Sequence, residues 1–224
     1  MIWKRFFGPC FPGRIFFAVA CVLSIAAMTQ GSDFSLLFDE GDGEAIKVIG
    51  NPQLEGVVVG AKWVEGTEGK ALVFNDYGNK LVNPQVSEST YVTIPHDDAL
   101  VPKEALTINV DVWLDRNPFY YGGIVEKGVG FGSSYRLLVL RNGKLRASVG
   151  NKLLSIETPE PLPLEKWVQI TMRFQKGALS LAIDGTQVSE KKSDVESFAS
   201  DHPLVLGTRF TGKMDNLLIQ LDPE

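Results

Sequence analysis

Cysteine is nearly missing from this chain of 224 residues: there are two, Cys10 and Cys21, and both lie near the N-terminus. The rest of the chain has none, which excludes a disulfide framework and any thiolate zinc site. Histidine is as scarce, with only His96 and His202. Each stands beside an aspartate, Asp97 and Asp201, and neither falls in a Ser/His/Asp or H-E-x-x-H arrangement, so both read as turn residues. There is no run of basic residues, and the formal net charge is −5. A nucleic-acid partner needs a basic face to neutralise phosphates, so that class is set aside. No N-x-Ser/Thr triplet occurs, so N-glycosylation gives no sign of a eukaryotic secretory route. No segment of ten or more residues keeps a 3.6-residue apolar period, which leaves no place for a long helix. The glycine-rich stretch Gly128–Gly132 lacks the strand–loop–helix context of a phosphate cradle.

The first 31 residues have their own character. Lys4, Arg5 and Arg14 are their only charges, an apolar run extends from Ile15 to Met28, and small or polar residues follow to Ser32. That order is the order of a secretory signal peptide, and the run is shorter than the roughly 20 apolar residues needed to span a bilayer. Residues 1–31 are therefore expected to be a leader and residues 32–224 a single domain. The expected location is secreted, periplasmic or cell surface, as in a bacterial exported protein. Contact with a membrane is expected only through the leader, if it stays attached. Without the leader both cysteines are gone and the net charge falls from −5 to about −8. An exported domain of this kind must be held by its core alone, or by its core and a metal, and at this length the core is large enough.

What is present is β pattern. Val168, Ile170, Met172 and Phe174 alternate with Gln169, Thr171 and Arg173, and Leu179, Leu181 and Ile183 alternate with Ser180 and Ala182. A period of two marks half-buried strands, and Asp184-Gly185 is the residue pair of a tight hairpin turn. Ile108, Val110, Val112 and Leu114 repeat the alternation. Tyr135–Leu140 and Lys144–Val149 flank Asn142-Gly143, another hairpin signal. Shorter strands are expected at Phe34–Phe38, Val57–Val59, Ala71–Phe74, Thr90–Ile94, Leu204–Leu206 and Met214–Leu221. Ser189–Ser200, charged and only weakly periodic, reads as a loop with at most one helical turn. Proline-rich 158–163 reads as a stiff connection at a sheet edge. Many short strands punctuated by Gly, Pro and Asn predict an all-β, two-sheet antiparallel β-sandwich or a barrel.

The order of motifs narrows this further. Phe38-Asp39-Glu40-Gly41-Asp42-Gly43, Gly69-Lys70-Ala71-Leu72-Val73-Phe74, Tyr91-Val92-Thr93-Ile94-Pro95, Leu106–Trp113, Ile124-Val125-Glu126-Lys127-Gly128, Trp167 with Asp184-Gly185, and Leu206-Gly207 with Gly212-Lys213-Met214-Asp215 follow one another along the chain. This succession resembles the laminin-G-like jelly-roll domains of the concanavalin A-like lectin/glucanase superfamily over about residues 34–221. The chain departs from that pattern in a long insertion, Asn75–Ser89, and in Asn216, which stands where the family has a closing Glu. The resemblance implies a concanavalin A-like jelly roll.

Three groups of residues invite chemistry. Glu40, Asp42 and Glu44 have the E-x-D-x-E spacing of some glycoside hydrolases on this fold, which need two carboxylates roughly 5 Å apart in a retaining mechanism. The residues between them are both glycine, so a solvated turn is expected instead. Relatives often hold a structural Ca²⁺ where the first and last strands meet, and the resemblance puts Asp39 and Asp215 there. Asp215 shares parity with Leu217, Ile219 and Leu221, so it is expected on the inward face, where an acid must be metal-bound or hydrogen-bonded. Tyr120 and Tyr121, in Phe119-Tyr-Tyr-Gly-Gly123, are adjacent aromatics beside glycines. They would either stack on sugar rings, or one ring would cap the sandwich while the next begins a strand. Trp63, Trp113 and Trp167 read as core or sheet-face packing.

The expected function is an exported, non-catalytic binding or adhesion module, with carbohydrate as the first partner and an extracellular or cell-surface protein as the second. A glycan-active hydrolase on the same fold, and a protein-interaction module with no sugar site, stay open beside it.

Overall fold

The structure is a computed structural model that describes residues 32–75, 90–128, 133–150, 154–175, 177–192 and 200–222. The expected leader, nearly all of the 75–89 insertion and most of the glycine-rich stretch lie outside the described residues. The strands are β1 Ser32–Leu36, β2 Ala45–Lys47, β3 Glu55–Val59, β4 Lys62–Glu65, β5 Lys70–Asn75, β6 Tyr91–Ile94, β7 Ala105–Leu114 and β8 Tyr121–Lys127. They continue as β9 Tyr135–Leu140, β10 Leu145–Val149, β11 Leu154–Glu157, β12 Trp167–Gln175, β13 Ala178–Ile183, β14 Thr186–Lys192, β15 Leu204–Leu206 and β16 Thr211–Leu221. Among the described residues the sole helical element is one 3₁₀ turn, Asp98–Leu100, capped by the Asp97 carboxylate, which accepts from Ala99 N at 2.8 Å.

Two antiparallel sheets of eight strands each form the sandwich. One runs β14-β13-β12-β7-β16-β5-β4, with β1 also paired to β16; the other runs β11-β10-β9-β8-β15-β6-β3-β2. Alternation along the strands does what the sequence predicts. Ile108, Val110, Val112 and Leu114 of β7 and Val168, Ile170, Met172 and Phe174 of β12 are buried against Tyr135, Leu137, Val139, Leu145 and Ala147 of the facing sheet. Burying side chains of this size stabilises by about 1.5–3 kcal/mol each. Asp184 and Gly185 take φ of 48° and 76°, the two positive values of the hairpin turn that suits twisted strands.

That turn leads into β14, which corrects the loop reading over Ser189–Lys192: Thr186–Lys192 is a strand paired to β13, while residues 193–199 lie outside the described residues. β14 is an edge strand with mostly exposed side chains, and Val188 is its contact with the core. A strand wetted on both faces has no reason to alternate, which is why its sequence carries no strand signal. The proline-rich segment leaves edge strand β11 and crosses to β12 of the other sheet, and Leu162 N donates back to Gly143 O at 2.9 Å.

Candidate functional site

The strongest site candidate lies on the outer face of the second sheet, across β8–β11. The hairpin at Asn142-Gly143 sets the register: Arg146 pairs with Leu138 and Ser148 with Arg136. Beyond these, Ser155 pairs with Ser148, and Tyr121 with Leu140. Residues that pair share a face. Since Tyr135, Leu137 and Val139 fill the core, Arg136, Leu138 and Leu140 must face outward with Tyr121, Arg146, Ser148 and Ser155. Together with Tyr120, Arg141 and Asn142 at one end they line a groove of about 890 Å³.

The floor is built around a buried ion pair. Arg136 Nε and Nη2 donate to Glu126 Oε2 at 2.8 and 2.5 Å, and both side chains are 5% exposed. Thr208 Oγ1 donates to the other oxygen, Oε1. Glycine at 123 makes this pairing fit, because a Cβ there would overlap Glu126 Oε1 and Thr208 Oγ1. The extra residue at this point, where the β8–β9 register shifts between Gly123 and Val125, lets Ile124 and Val125 both face inward while Glu126 stays outward.

Above the floor, aromatic rings and guanidinium groups pair off. The Tyr121 ring lies 5.4 Å from the Arg136 guanidinium and 4.9 Å from that of Arg209, which also donates to the Tyr121 hydroxyl. Tyr120 is 59% exposed and meets Phe119 edge to face at 4.6 Å, and Arg141 lies 5.5 Å from the Phe119 ring. Such contacts orient a guanidinium without neutralising it. Arg146 is bound to Glu157, donating from Nε at 2.9 Å and Nη2 at 2.5 Å. So the structure brings Tyr120 and Tyr121 to one groove, Tyr120 at its rim and Tyr121 within its wall. The arginines were missed from the sequence. The signal for two of them was present: Arg136 and Arg146 alternate with core residues on the two strands flanking a recognised Asn-Gly turn.

Asp39 and Asp215 do different work. The register of β16 against β7 shifts between Asp215 and Leu218, and Asp215 pairs with Asp111, an outward residue of β7. Asp215 therefore does not share the face of Leu217 and Ile219, which corrects the parity reading. It is 0% exposed because the turn between β4 and β5 folds over it. Its Oδ2 accepts from Thr67 N and Thr67 Oγ1, each at 2.8 Å, and its Oδ1 accepts from Asn216 N at 2.8 Å. Asp39 Oδ1 accepts from Lys70 N at 3.0 Å, at the other end of the same turn. Asn216, in place of the family's Glu, donates from Nδ2 to Asp111 at 3.0 Å. Both oxygens of Asp215 and one of Asp39 thus serve as acceptors that tie down this turn. Among the described residues no group of three or more His, Cys, Asp or Glu could hold a metal ion.

The other candidates are scaffold. Glu40 Oε1 accepts from Lys47 N at 2.9 Å within the opening turn. Trp63 Nε1 donates to Gly43 O at 2.9 Å. Trp113 and Trp167 pack edge to face at 6.0 Å on the outer face of the first sheet, and Lys213 lies 4.6 Å from the Trp113 ring.

Comparison with known proteins agrees with this architecture. A family model described as the concanavalin A-like lectin/glucanases superfamily matches residues 86–220, more than half of the chain. The chain belongs to that superfamily. No curated protein sequence matches it. Among solved structures, botulinum neurotoxin type C, whose route into cells is described as dependent on two ganglioside molecules, superposes with a TM-score of 0.63 at 11% identity. The match covers 84% of this chain and 47% of the toxin chain. A Trypanosoma rangeli sialidase mutant with trans-sialidase activity gives a TM-score of 0.62 at 15% identity, over 84% of this chain and 30% of that one. The binding domain of botulinum neurotoxin DC, bound to rat synaptotagmin II, gives 0.63 at 12% identity, over 84% and 48%. The chain thus spans half or less of the length of these structures, and at such identities the likeness is one of fold.

Superfamily membership does not account for one further cluster. Lys127, next to Glu126 but on the core side of β8, is fully buried. Its Nζ lies 2.8 Å from His96 Nδ1 and donates to Ser200 O at 3.3 Å and to His202 O. Desolvation pushes the ammonium down to about 8, against the pull of Asp201, Asp98 and Asp97. The His96 ring and the main-chain carbonyl of His202, read as separate turn residues, thus meet around one lysine.

Proposed function

We propose that this chain is an exported, non-catalytic carbohydrate-binding module whose ligand lies in the groove between Tyr120 and Arg146. The observation that carries the reading is the lining of that groove. It combines an exposed and a half-buried tyrosine with Ser148, Ser155 and Asn142 as hydrogen-bonding groups, on a rigid sheet. Aromatic planes with a few placed polar groups are what a sugar ring, apolar on its faces and hydroxylated at its edge, needs. Hydrolysis calls for two carboxylates facing one bond. The groove lining has none, and Glu126 behind the floor has both oxygens engaged by Arg136 and Thr208. The ganglioside dependence of one structural relative and the sialidase activity of another give this reading support by fold analogy. The leader composition supports export.

A glycan array with the domain from residue 32 onward tests the proposal, beside Tyr121→Ala and Tyr120→Ala. Binding to a defined set of glycans is expected, weakened about tenfold or more by Tyr121→Ala and less by Tyr120→Ala. Binding that neither change affects would place the ligand elsewhere. Silence across the array would leave the protein-interaction reading.

A further inference from the structure

The chain carries 27 acidic residues against 22 basic ones, yet the groove reverses that balance. Its lining contains Arg136, Arg141 and Arg146 and no carboxylate, and Arg209 stands beside it on Tyr121. Two of these cations are matched: Arg136 by Glu126 and Arg146 by Glu157. Arg141 and Arg209 have no carboxylate partner among the described residues; they rest on the rings of Phe119 and Tyr121. Arg136 spends Nε and Nη2 on Glu126, and its Nη1 has no hydrogen-bond partner among the described residues. Lysine is absent from the lining, so every cation in it is a planar fork suited to a flat anionic group.

We infer that the ligand of this groove is an acidic saccharide, one bearing carboxylate or sulfate groups, held by Arg141 and Arg209 at the tyrosine end. The inference rests on the carbohydrate-binding reading and adds the charge of the ligand. A neutral sugar needs no unmatched guanidinium. In a chain of net negative charge, two cations preset over aromatic rings, Arg141 in the lining and Arg209 beside it on Tyr121, at a groove whose lining carries no carboxylate, act as a local attractor for an anion. The two stand on different segments, Arg141 in the β9–β10 turn and Arg209 after β15, which suits a ligand carrying more than one acid group.

Calorimetric titration tests this with five probes: tetragalacturonate, its fully methyl-esterified form, a sulfated chondroitin tetrasaccharide, neutral cellotetraose and a decaglutamate peptide. One of the two acidic saccharides is expected to bind; binding of tetragalacturonate shows that carboxylates suffice, whereas binding of the chondroitin, which carries both groups, in its absence points to a need for sulfate. Where it is tetragalacturonate, esterification should weaken binding about tenfold or more. Arg141→Gln and Arg209→Gln should each weaken acidic-sugar binding by about threefold to tenfold, with unchanged melting temperature because both side chains are exposed. Raising NaCl from about 50 to about 300 mM should weaken it further, since exposed charges are screened over a few ångströms at that salt. Binding of cellotetraose or of the methyl ester as tightly as an acidic sugar would overturn the inference and leave the carbohydrate module standing. Binding of decaglutamate alone would overturn both, and binding of no probe would overturn the acidic-sugar inference and leave the carbohydrate reading to the glycan array.

Discussion

The buried pair of Glu126 and Arg136 offers the sharpest test of the site as a structure. Glu126→Gln removes one charge and keeps the shape. It leaves the Arg136 guanidinium with 5% of its side chain exposed and no counter-charge. Breaking a buried pair from one side costs about 3–5 kcal/mol, because the remaining charge has neither water nor partner. For a domain of this length that corresponds to a fall in melting temperature on the order of 10 °C. Arg136→Met strands the carboxylate instead, with Thr208 Oγ1 as its remaining donor, and should cost a similar amount. The double variant strands neither charge, so its cost should fall short of the summed single costs by about 2 kcal/mol or more. Urea titration of the four proteins reads this directly, provided the slope with denaturant stays constant across them. A single Glu126→Gln cost under about 1 kcal/mol, or a coupling within about 0.5 kcal/mol of zero, would refute the claim that the pair is dry and mutually dependent.

Three further predictions concern the scaffold. Asp215→Ala removes the acceptor for Thr67 N, Thr67 Oγ1 and Asn216 N at a fully buried position, and should destabilise by about 2–4 kcal/mol in the same assay. Adding Ca²⁺ to EDTA-treated protein should leave the melting temperature unchanged, because Asp39 and Asp215 already accept from backbone and hydroxyl donors; a rise of several degrees would restore the structural-metal idea. Lys127 titrates near 8 when folded against 10.5 ordinarily, so between those values the unfolded chain holds the extra proton and this group makes stability rise with pH. Lys127→Met should remove that rise, and the difference between the two proteins isolates it from Tyr135, whose phenol burial pushes up and whose effect appears at still higher pH.

Legibility followed the physics of each residue. Strands with one wet and one dry face, β7 and β12, were readable because alternation is a direct record of burial. β14 was not, because an edge strand wetted on both faces records nothing. The turn residues Asn142-Gly143 and Asp184-Gly185 were readable from backbone demand alone. Asp215 was recognised as constrained but put on the wrong face, since one bulge resets the parity of every residue before it, and a bulge of this kind leaves no mark in composition. Tyr120 and Tyr121 were found as adjacent aromatics after Pro118, although Tyr121 opens strand β8 and is not in the loop. Their arginine partners were not, because Arg209 reaches Tyr121 from 88 positions away in sequence.

The placement of Glu126 shows how one face could serve as both scaffold and the proposed site. An arginine that lines a groove at 4% exposure would be expensive to bury by itself, and without a partner it would seek water. Glu126 offsets that cost and fixes the guanidinium in the plane of the floor, while Gly123 and Thr208 make room for the carboxylate and hold it. The consequence is a division of labour. Arg136, matched in charge, contributes position and hydrogen-bonding geometry under the Tyr121 ring. On the proposed reading, Arg141 and Arg209, without a carboxylate partner among the described residues, supply the net attraction. Glu126→Gln should therefore do two things at once: destabilise the fold and leave one more positive charge in the groove. If charge alone governs ligand capture, the folded fraction of that variant would bind an acidic sugar more tightly than the wild type. If preset geometry governs it, binding would weaken despite the added charge. The buried position of the pair favours the second outcome, because a guanidinium released from its fixed partner loses the orientation that a bidentate contact needs.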